Sequence, residues 1–131
     1  MKANELRIGN WVNVPVKEQS PFRIDAFEHL SDKFIKVAMF HPEYGESVHP
    51  LTWYGGDLEP IPLTEEILLK CGFEEDANLF HNNIALYKNG VGGFNYNANY
   101  FEHDNLISVD YLHQLQNLYF ALTGEELKIE L

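Results

Sequence analysis

The sequence predicts an α+β protein in which a small antiparallel β-sheet or SH3-like barrel precedes a half of order α-β-β-β-α. Short alternating segments separated by turn residues occupy residues 5–60. A proline-containing run at 58–63 then interrupts this pattern, and helix signals frame further alternating segments in the remaining chain. We therefore expect a β-rich half at 1–60 and an α+β half at 61–131, docked as one compact unit because the connector is short and apolar.

Four segments of the first half are predicted strands, of which the first three show the period-2 alternation of half-buried strands and the fourth is interrupted by Pro50. They are 11–16, 22–27, 34–40 and 48–53. The alternation places Phe22, Ile24 and Ala26 on one face of the second segment. The opening LRIGNWV segment resembles the first strand of SH3-like barrels, which is an analogy of fold alone.

The second half begins with signals for a short helix. Thr64 can cap it, Leu63 and Leu68 occupy the positions of a hydrophobic staple, and Gly72 can end it. Strands are then expected at 79–81, 84–87 and 94–100, with Asn82 and Asn83 forming a hairpin turn between the first two and a short fourth strand at 106–108.

The last quarter of the chain predicts an amphipathic helix. Ser108 or Asp110 can provide the N-cap, and Gly124 can end the helix in a left-handed conformation. A helix of this length is marginal alone in water, so its apolar stripe is expected to pack on strands of the same half. That stripe comprises Leu112, Leu115, Tyr119 and Leu122, widened by Leu118 and Ala121.

Composition indicates a folded protein of a reducing compartment. Hydrophobic residues make up 45% of the 131 residues, which is enough for a packed core. The single cysteine, Cys71, cannot form an internal disulfide. No apolar run approaches the roughly 18 residues of a membrane span, and the N-terminus lacks the apolar core of a signal peptide. We therefore expect a cytoplasmic protein that does not contact membranes.

Charge is distributed unevenly along the chain. The formal net charge is −11, and residues 61–131 carry eleven acidic against three basic side chains, a net of −8. Nucleic-acid binding depends mainly on neutralising phosphates, so nucleic acid is a poor partner for this half. The acidity is explained by solubility, by attraction of basic proteins, or by imitation of nucleic acid.

Histidines and the cysteine are the candidates for metal or catalytic chemistry. His41, His49 and His103 lie near acidic residues, and imidazole with carboxylate can hold zinc, but their spacings match no metal motif. Cys71 lies at a helix C-terminus, where the dipole disfavours a thiolate, so packing is its expected role. No motif predicts a catalytic residue, a cofactor or a bound metal.

Three asparagines form the candidate ligand or partner surface. Asn95, Asn97 and Asn99 alternate along one strand, so their amides project from one side and can bind a polar ligand, a sugar or a peptide backbone. The alternative is an ordinary exposed sheet face. Trp11, Trp53 and Tyr54 can add an aromatic platform from the first half if they are exposed.

Three segments carry a resemblance to a known group of proteins. They are 5–12 (ELRIGNWV), 59–66 (EPIPLTEE) with 70–73 (KCGF), and 111–119 (YLHQLQNLY) followed by LTG. Together they resemble an uncharacterised family of small hypothetical proteins from gut anaerobic bacteria and their prophages or mobile elements. The resemblance implies a bacterial or phage accessory protein and transfers no activity, cofactor or catalytic residue to any position.

These observations favour a non-enzymatic binding or accessory protein that acts through contacts with an unknown protein partner. One alternative is an acidic nucleic-acid mimic that inhibits a DNA-binding protein, which requires the acids of residues 61–131 to form one continuous stripe. Another is a metal-dependent hydrolase that uses His41, His49 or His103. The sequence does not specify the oligomeric state.

Overall fold

The computed structural model describes residues 6–13, 21–29, 34–41, 45–52, 58–77, 79–89, 92–97 and 106–130. Within these residues the chain forms nine β-strands and two α-helices, which confirms the predicted α+β class. The strands form two separate sheets. The chain divides into two compact units, Met1–Ile61 and Pro62–Leu131, which are described separately.

The first unit contains a four-stranded antiparallel sheet in which strands adjacent in sequence are hydrogen-bonded neighbours. All four predicted strand segments overlap it, although residues 14–16 of the first segment lie outside the described residues. The antiparallel sheet is thus confirmed, while an SH3-like barrel stays a prediction. The strands are β1 (Trp11–Val12), β2 (Phe22–His29), β3 (Phe34–His41) and β4 (Gly45–Thr52).

A β-bulge changes which side chains of β2 are buried. The pairing register between β2 and β3 shifts between Ile24 and Ala26. Phe22 and Ile24 are buried, whereas Ala26 is exposed. The predicted common face of these three residues is therefore wrong at Ala26, because the extra residue of a bulge interrupts the alternation of side chains.

The second unit contains a five-stranded antiparallel sheet, again with strands in sequence order. Three predicted strands and the short fourth are present, although residues 98–100 of the third lie outside the described residues. An additional strand precedes them at the edge, where the sequence Glu-Glu-Asp gives no alternation to detect. The strands are β5 (Glu74–Asp76), β6 (Leu79–Asn82), β7 (Ile84–Lys88), β8 (Phe94–Asn97) and β9 (Leu106–Val109).

Two helices, α1 (Glu65–Lys70) and α2 (Leu112–Thr123), complete the second unit. At the start of α1 the Thr64 hydroxyl accepts a hydrogen bond of 3.2 Å from the Ile67 N–H, which confirms the predicted cap. At its end Gly72 has φ +81°, and the Phe73 N–H donates to the Leu68 carbonyl at 3.0 Å. This bond belongs to a Schellman ending and confirms that Gly72 ends the helix.

Helix α2 closes the hydrophobic core of the second unit. Leu112 and Leu115 are fully buried and Tyr119 is 5% exposed, which confirms the first part of the predicted stripe. The Asn83 amide, in the turn between β6 and β7, donates a 2.8 Å hydrogen bond to the Tyr119 hydroxyl. The buried sheet residues of the same core are Phe80, Ile84, Leu86, Phe94 and Val109.

The predicted stripe is wrong at the C-terminal part of α2. Leu122 is 45% exposed and Ala121 is exposed, whereas His113 and Gln116 are buried. At 3.6 residues per turn, Leu122 lies roughly 90° around the helix from the centre of the buried arc. Packing against the sheet thus selects a face that includes two polar residues and leaves this leucine at its border.

The ends of α2 show one wrong and one correct prediction. The N-cap residue is Tyr111, not Ser108 or Asp110. The Gln114 side chain accepts from the Asp110 and Tyr111 N–H groups at 3.0 and 3.2 Å, while the Ser108 hydroxyl bonds to Asp110. Gly124 is left-handed with φ +75°, as predicted. The helix starts late because the extended backbone of β9 continues to residue 111 through an isolated bridge.

Candidate functional site

The predicted asparagine surface lies partly within the described structure. Asn95 and Asn97 belong to β8 and are half-buried. Trp11 is 8% exposed, so its predicted place in an exposed aromatic platform is wrong, because β1 packs its side chain into the core of the first unit. Asn99, Trp53 and Tyr54 lie outside the described residues and stay predictions.

The alternation of β8 agrees with the prediction. Phe94 is buried in the core, which puts Asn95 and Asn97 on the opposite face of the sheet. Tyr87 of β7 pairs with Asn95 in the ladder and therefore shares that face. Two amides and a phenol thus line the face of the sheet that points away from the core.

One of these amides also supports the turn between β7 and β8. The Asn89 side chain donates a 3.4 Å hydrogen bond to Asn95 and accepts one of 2.8 Å from the Gly93 N–H. A Cβ atom at Gly93 would lie 2.9 Å from the Asn89 amide nitrogen, so a larger residue there would displace the Asn89 side chain. Asn95 therefore serves a structural role in this turn, and Asn97 is the one of the two that lines the pocket at this end of the sheet.

A pocket of about 340 Å³ lies where β7 and β8 separate. Within the described residues, the ladder between these strands ends at Tyr87 and Asn95. The end of α2 borders the resulting notch, which brings Leu122 beside Asn97 and Tyr96. This volume is at the lower end of the range of about 300–1,000 Å³ for small-molecule sites. The lining residues are Asn83, Ile84, Ala85, Tyr87, Tyr96, Asn97, Leu122 and Thr123.

Most of these lining residues could not be identified from the sequence. Asn97 was predicted from its alternation, but Leu122 was assigned to the core and Tyr96 had no functional signal. The pocket depends on the point at which two strands part and on where a helix ends above them. No local motif encodes that arrangement.

A second cavity, of about 230 Å³, lies between the start of α1 and the β7–β8 turn. Gly92, Gly93 and Lys88 line it, which suggests an anion site. The Lys88 ammonium, however, forms ion pairs with Glu65 at 2.5 Å and Glu75 at 3.5 Å. The hydrogen bond to Glu65 raises the pKa of Lys88. Two carboxylates neutralise this cation, so the cavity does not favour a phosphate.

Several large apolar side chains of the second unit are exposed. Leu122 and Ile107 are each 45% exposed, Phe120 is 42% exposed, and Leu69 on α1 is 54% exposed. Ile107 pairs with the pocket residue Tyr96 across the β8–β9 ladder. Tyr96 is thus a ladder partner of Ile107 and lines one pocket with Leu122.

The described acidic side chains of the second unit are all exposed, and they lie on several separate segments. Two of its three lysines are engaged: Lys88 as above, and Lys70 with Glu66 at 3.5 Å. The surface of this unit is consequently strongly negative. The exposed acids are Glu65, Glu66, Glu74, Glu75, Asp76, Asp110, Glu125, Glu126 and Glu130.

The histidines predicted as metal candidates do not form a described cluster. His41 is 7% exposed, and its ring lies 5.2 Å from that of Phe22 in an edge-on contact. The register of β3 and β4 separates the His41 and His49 backbones by four residues along the ladder, which is roughly 13 Å. His103 lies outside the described residues, and among the described ones no group of three potential ligands is found.

Cys71 is buried at 1% exposure, which confirms its predicted packing role. Burial raises the pKa of its thiol to about 12. The thiolate required for nucleophilic attack is therefore disfavoured near neutral pH. Its backbone carbonyl accepts a 3.0 Å hydrogen bond from the Asn82 amide, which ties the end of α1 to β6.

No family model, curated protein or solved structure matches the chain. Among the described residues, neither helix is long and apolar enough to cross a bilayer.

Proposed function

We propose that this chain is a non-enzymatic accessory protein that acts through protein–protein contacts, and that its second unit carries the contact surface. The observation that supports this most strongly is the pocket beside Leu122, an exposed leucine in a unit whose described carboxylates all face solvent. An apolar centre within a polar, charged surround is the usual arrangement of a protein interface.

The pocket can receive an anchoring side chain of the partner. Leu122 and Tyr96 supply apolar and aromatic surface at its wall, and the side chains of Asn83 and Thr123 provide polar groups at its border. Interfaces gain most of their affinity from a few large side chains that fill such pockets. An aromatic or aliphatic side chain is the anchor that these walls fit.

The surrounding charge defines the partner further. Glu125 and Glu126 follow Leu122 closely in sequence and are exposed. A partner with lysine or arginine around its apolar anchor would be attracted by this surface and would bind more weakly at high salt. The proposed partner is therefore a protein with a basic interface.

The chemistry of the described residues favours binding over catalysis. The Cys71 thiol is buried with a raised pKa, and the Lys88 ammonium is held by two carboxylates. Neither group offers the activated nucleophile or base that an active site requires.

The test compares Leu122→Glu with a matched control, Leu69→Glu. Both leucines are exposed and helical, so both variants are expected to fold. Each tagged protein captures partners by cross-linking from a lysate of the source organism. We expect a partner whose affinity falls about 30-fold with Leu122→Glu, the loss of a roughly 2 kcal/mol hot spot, and persists with Leu69→Glu. Equal recovery by both variants, or repeated recovery of no partner, would contradict the proposal.

A further inference from the structure

The two edges of the five-stranded sheet have opposite characters. The edge strand β5 consists of Glu74, Glu75 and Asp76, all exposed. Charged residues on an edge discourage pairing with another chain. The other edge strand, β9, reads Leu-Ile-Ser-Val and contains neither a charge nor a proline. Its residues thus allow a further strand to pair.

The backbone direction of β9 follows from a bond at its end. The Leu63 N–H donates a 2.9 Å hydrogen bond to the Asp110 carbonyl. This carbonyl points away from β8, which pairs with the opposite side of the strand. Backbone groups alternate in direction along a strand, so those of Ser108 and Leu106 also point away from the sheet.

The ladder between β7 and β8 gives the same result independently. The Asn89 N–H donates to the Gly93 carbonyl at 3.0 Å. Alternation along the ladder then directs the backbone groups of Phe94 toward β9, where Phe94 pairs with Val109. The backbone N–H and C=O of Val109 therefore point toward β8. Those of the neighbouring Ser108 point away from β8, toward the free side of β9.

Ser108 is the outward-facing residue of β9 whose accessibility the structure describes. Ser108 is exposed and the adjacent Ile107 is 45% exposed. Across the described part of the chain, Leu106 and Ser108 make no backbone hydrogen bond beyond the strand ladder. These two residues offer N–H donors and carbonyl acceptors in the geometry that an added strand uses.

We propose that β9 accepts an extended, basic segment of another protein as a sixth strand of this sheet. The inference rests on the proposed protein-binding function and specifies how the partner is held. Residues 62 and 63 already pair with the outward side of 110 and 111, so the added strand pairs at Leu106 and Ser108. On one face, a lysine or arginine opposite Ser108 would lie near the Asp110 carboxylate, which accepts from the Ser108 hydroxyl at 3.1 Å. On the other face, an apolar residue would lie near Ile107. The fitting segment therefore alternates basic and apolar residues.

Charge distinguishes this occupant from a second copy of the chain. The net charge of residues 61–131 is −8 and that of the whole chain is −11. Two copies brought edge to edge would repel each other, whereas a basic segment would be attracted. The occupant is accordingly a different protein.

The probe is a short peptide that alternates lysine and valine, titrated into the full chain labelled with ¹⁵N. We expect millimolar or tighter binding, shifts centred on Leu106 and Ser108, and weakening at high salt. Ser108→Pro removes the outward N–H and should weaken binding about tenfold or more, whereas Ser108→Ala keeps it and should bind as the native chain does. Thermal unfolding checks that both variants fold, and Leu106→Pro replaces Ser108→Pro if that variant does not.

Four outcomes would overturn the strand-addition proposal. They are no binding, equal binding of a peptide with its lysines and valines in separate blocks, undiminished binding to Ser108→Pro, and a dimer of the chain that this substitution dissociates. If the lysate partner depends on Leu122 but binds Ser108→Pro normally, strand addition fails while the protein-binding function stands. If no partner depends on Leu122 but binding of the alternating peptide still needs Ser108, the contact surface proposed at Leu122 fails while strand addition stands.

Discussion

Replacing two leucines of α2 separately by alanine tests how this helix packs. Leu115 is fully buried and Leu122 is 45% exposed. Both leucines belong to α2, Leu115 in its first half and Leu122 in its last turn, and both are changed to the same residue. A difference between the two variants therefore reports burial and not helix propensity.

The structure predicts a large difference. A fully buried leucine costs about 2–5 kcal/mol when cut to alanine, because apolar contact is lost and a cavity remains. A half-exposed leucine should cost below about 1 kcal/mol. The second unit has about 70 residues, so its total stability is of the order of 4–10 kcal/mol. Leu115→Ala should remove a large fraction of it.

Urea unfolding followed by circular dichroism measures the effect. For a unit of this size, a loss of about 3 kcal/mol should lower the midpoint by roughly 2–3 M, at a slope near 1 kcal/mol per M. Leu122→Ala should lower it by well under 1 M. Equal midpoint shifts for the two variants would refute the packing described for α2.

Three further predictions concern the helix ends and the cysteine. In urea titrations, Thr64→Ala should lower the free energy of unfolding by about 0.5–2 kcal/mol, because it removes the hydroxyl that accepts from the Ile67 N–H. Thr64→Ser keeps that hydroxyl and should lower the free energy of unfolding by much less. Gly72→Ala should lower it by about 1–2 kcal/mol in the same titrations, since φ is +81°; an unchanged midpoint would exclude the Schellman ending. Cys71 should resist alkylation at pH 8 until the chain is unfolded. Burial raises the pKa of this thiol from 9.0 to about 12, so its contribution to stability is full below pH 9 and falls between pH 9 and 12. The fall is at most about 1.4 kcal/mol per pH unit. Rapid alkylation of the native chain would contradict the burial of Cys71.

Features encoded by neighbouring residues could be predicted from the sequence. Thr64 caps α1 and Gly124 ends α2 as expected, because capping depends on groups within one helical turn. Alternation indicated β2, β3 and β8, since burial of one face imposes period 2, and turn residues indicated the β6–β7 hairpin. The added strand β5 was missed because three charged residues carry no such pattern.

Features that depend on tertiary packing could not be predicted. Leu122 fits the helical stripe, yet it lies roughly 90° around α2 from the centre of the buried arc and borders a pocket instead. Ala26 fits the strand alternation, yet a bulge turns it outward. The open edge at Ser108 follows from hydrogen bonds between separate strands, which no single segment of sequence specifies.

Amide hydrogen exchange of the free protein, measured residue by residue by NMR, tests the central claim that β9 presents an open edge. Ile107 and Val109 should exchange at least about 100-fold more slowly than Leu106 and Ser108, because the first two N–H groups bond to β8 and the other two face outward. Protection of Ser108 equal to that of Ile107 would show that the edge is already covered and would contradict the account.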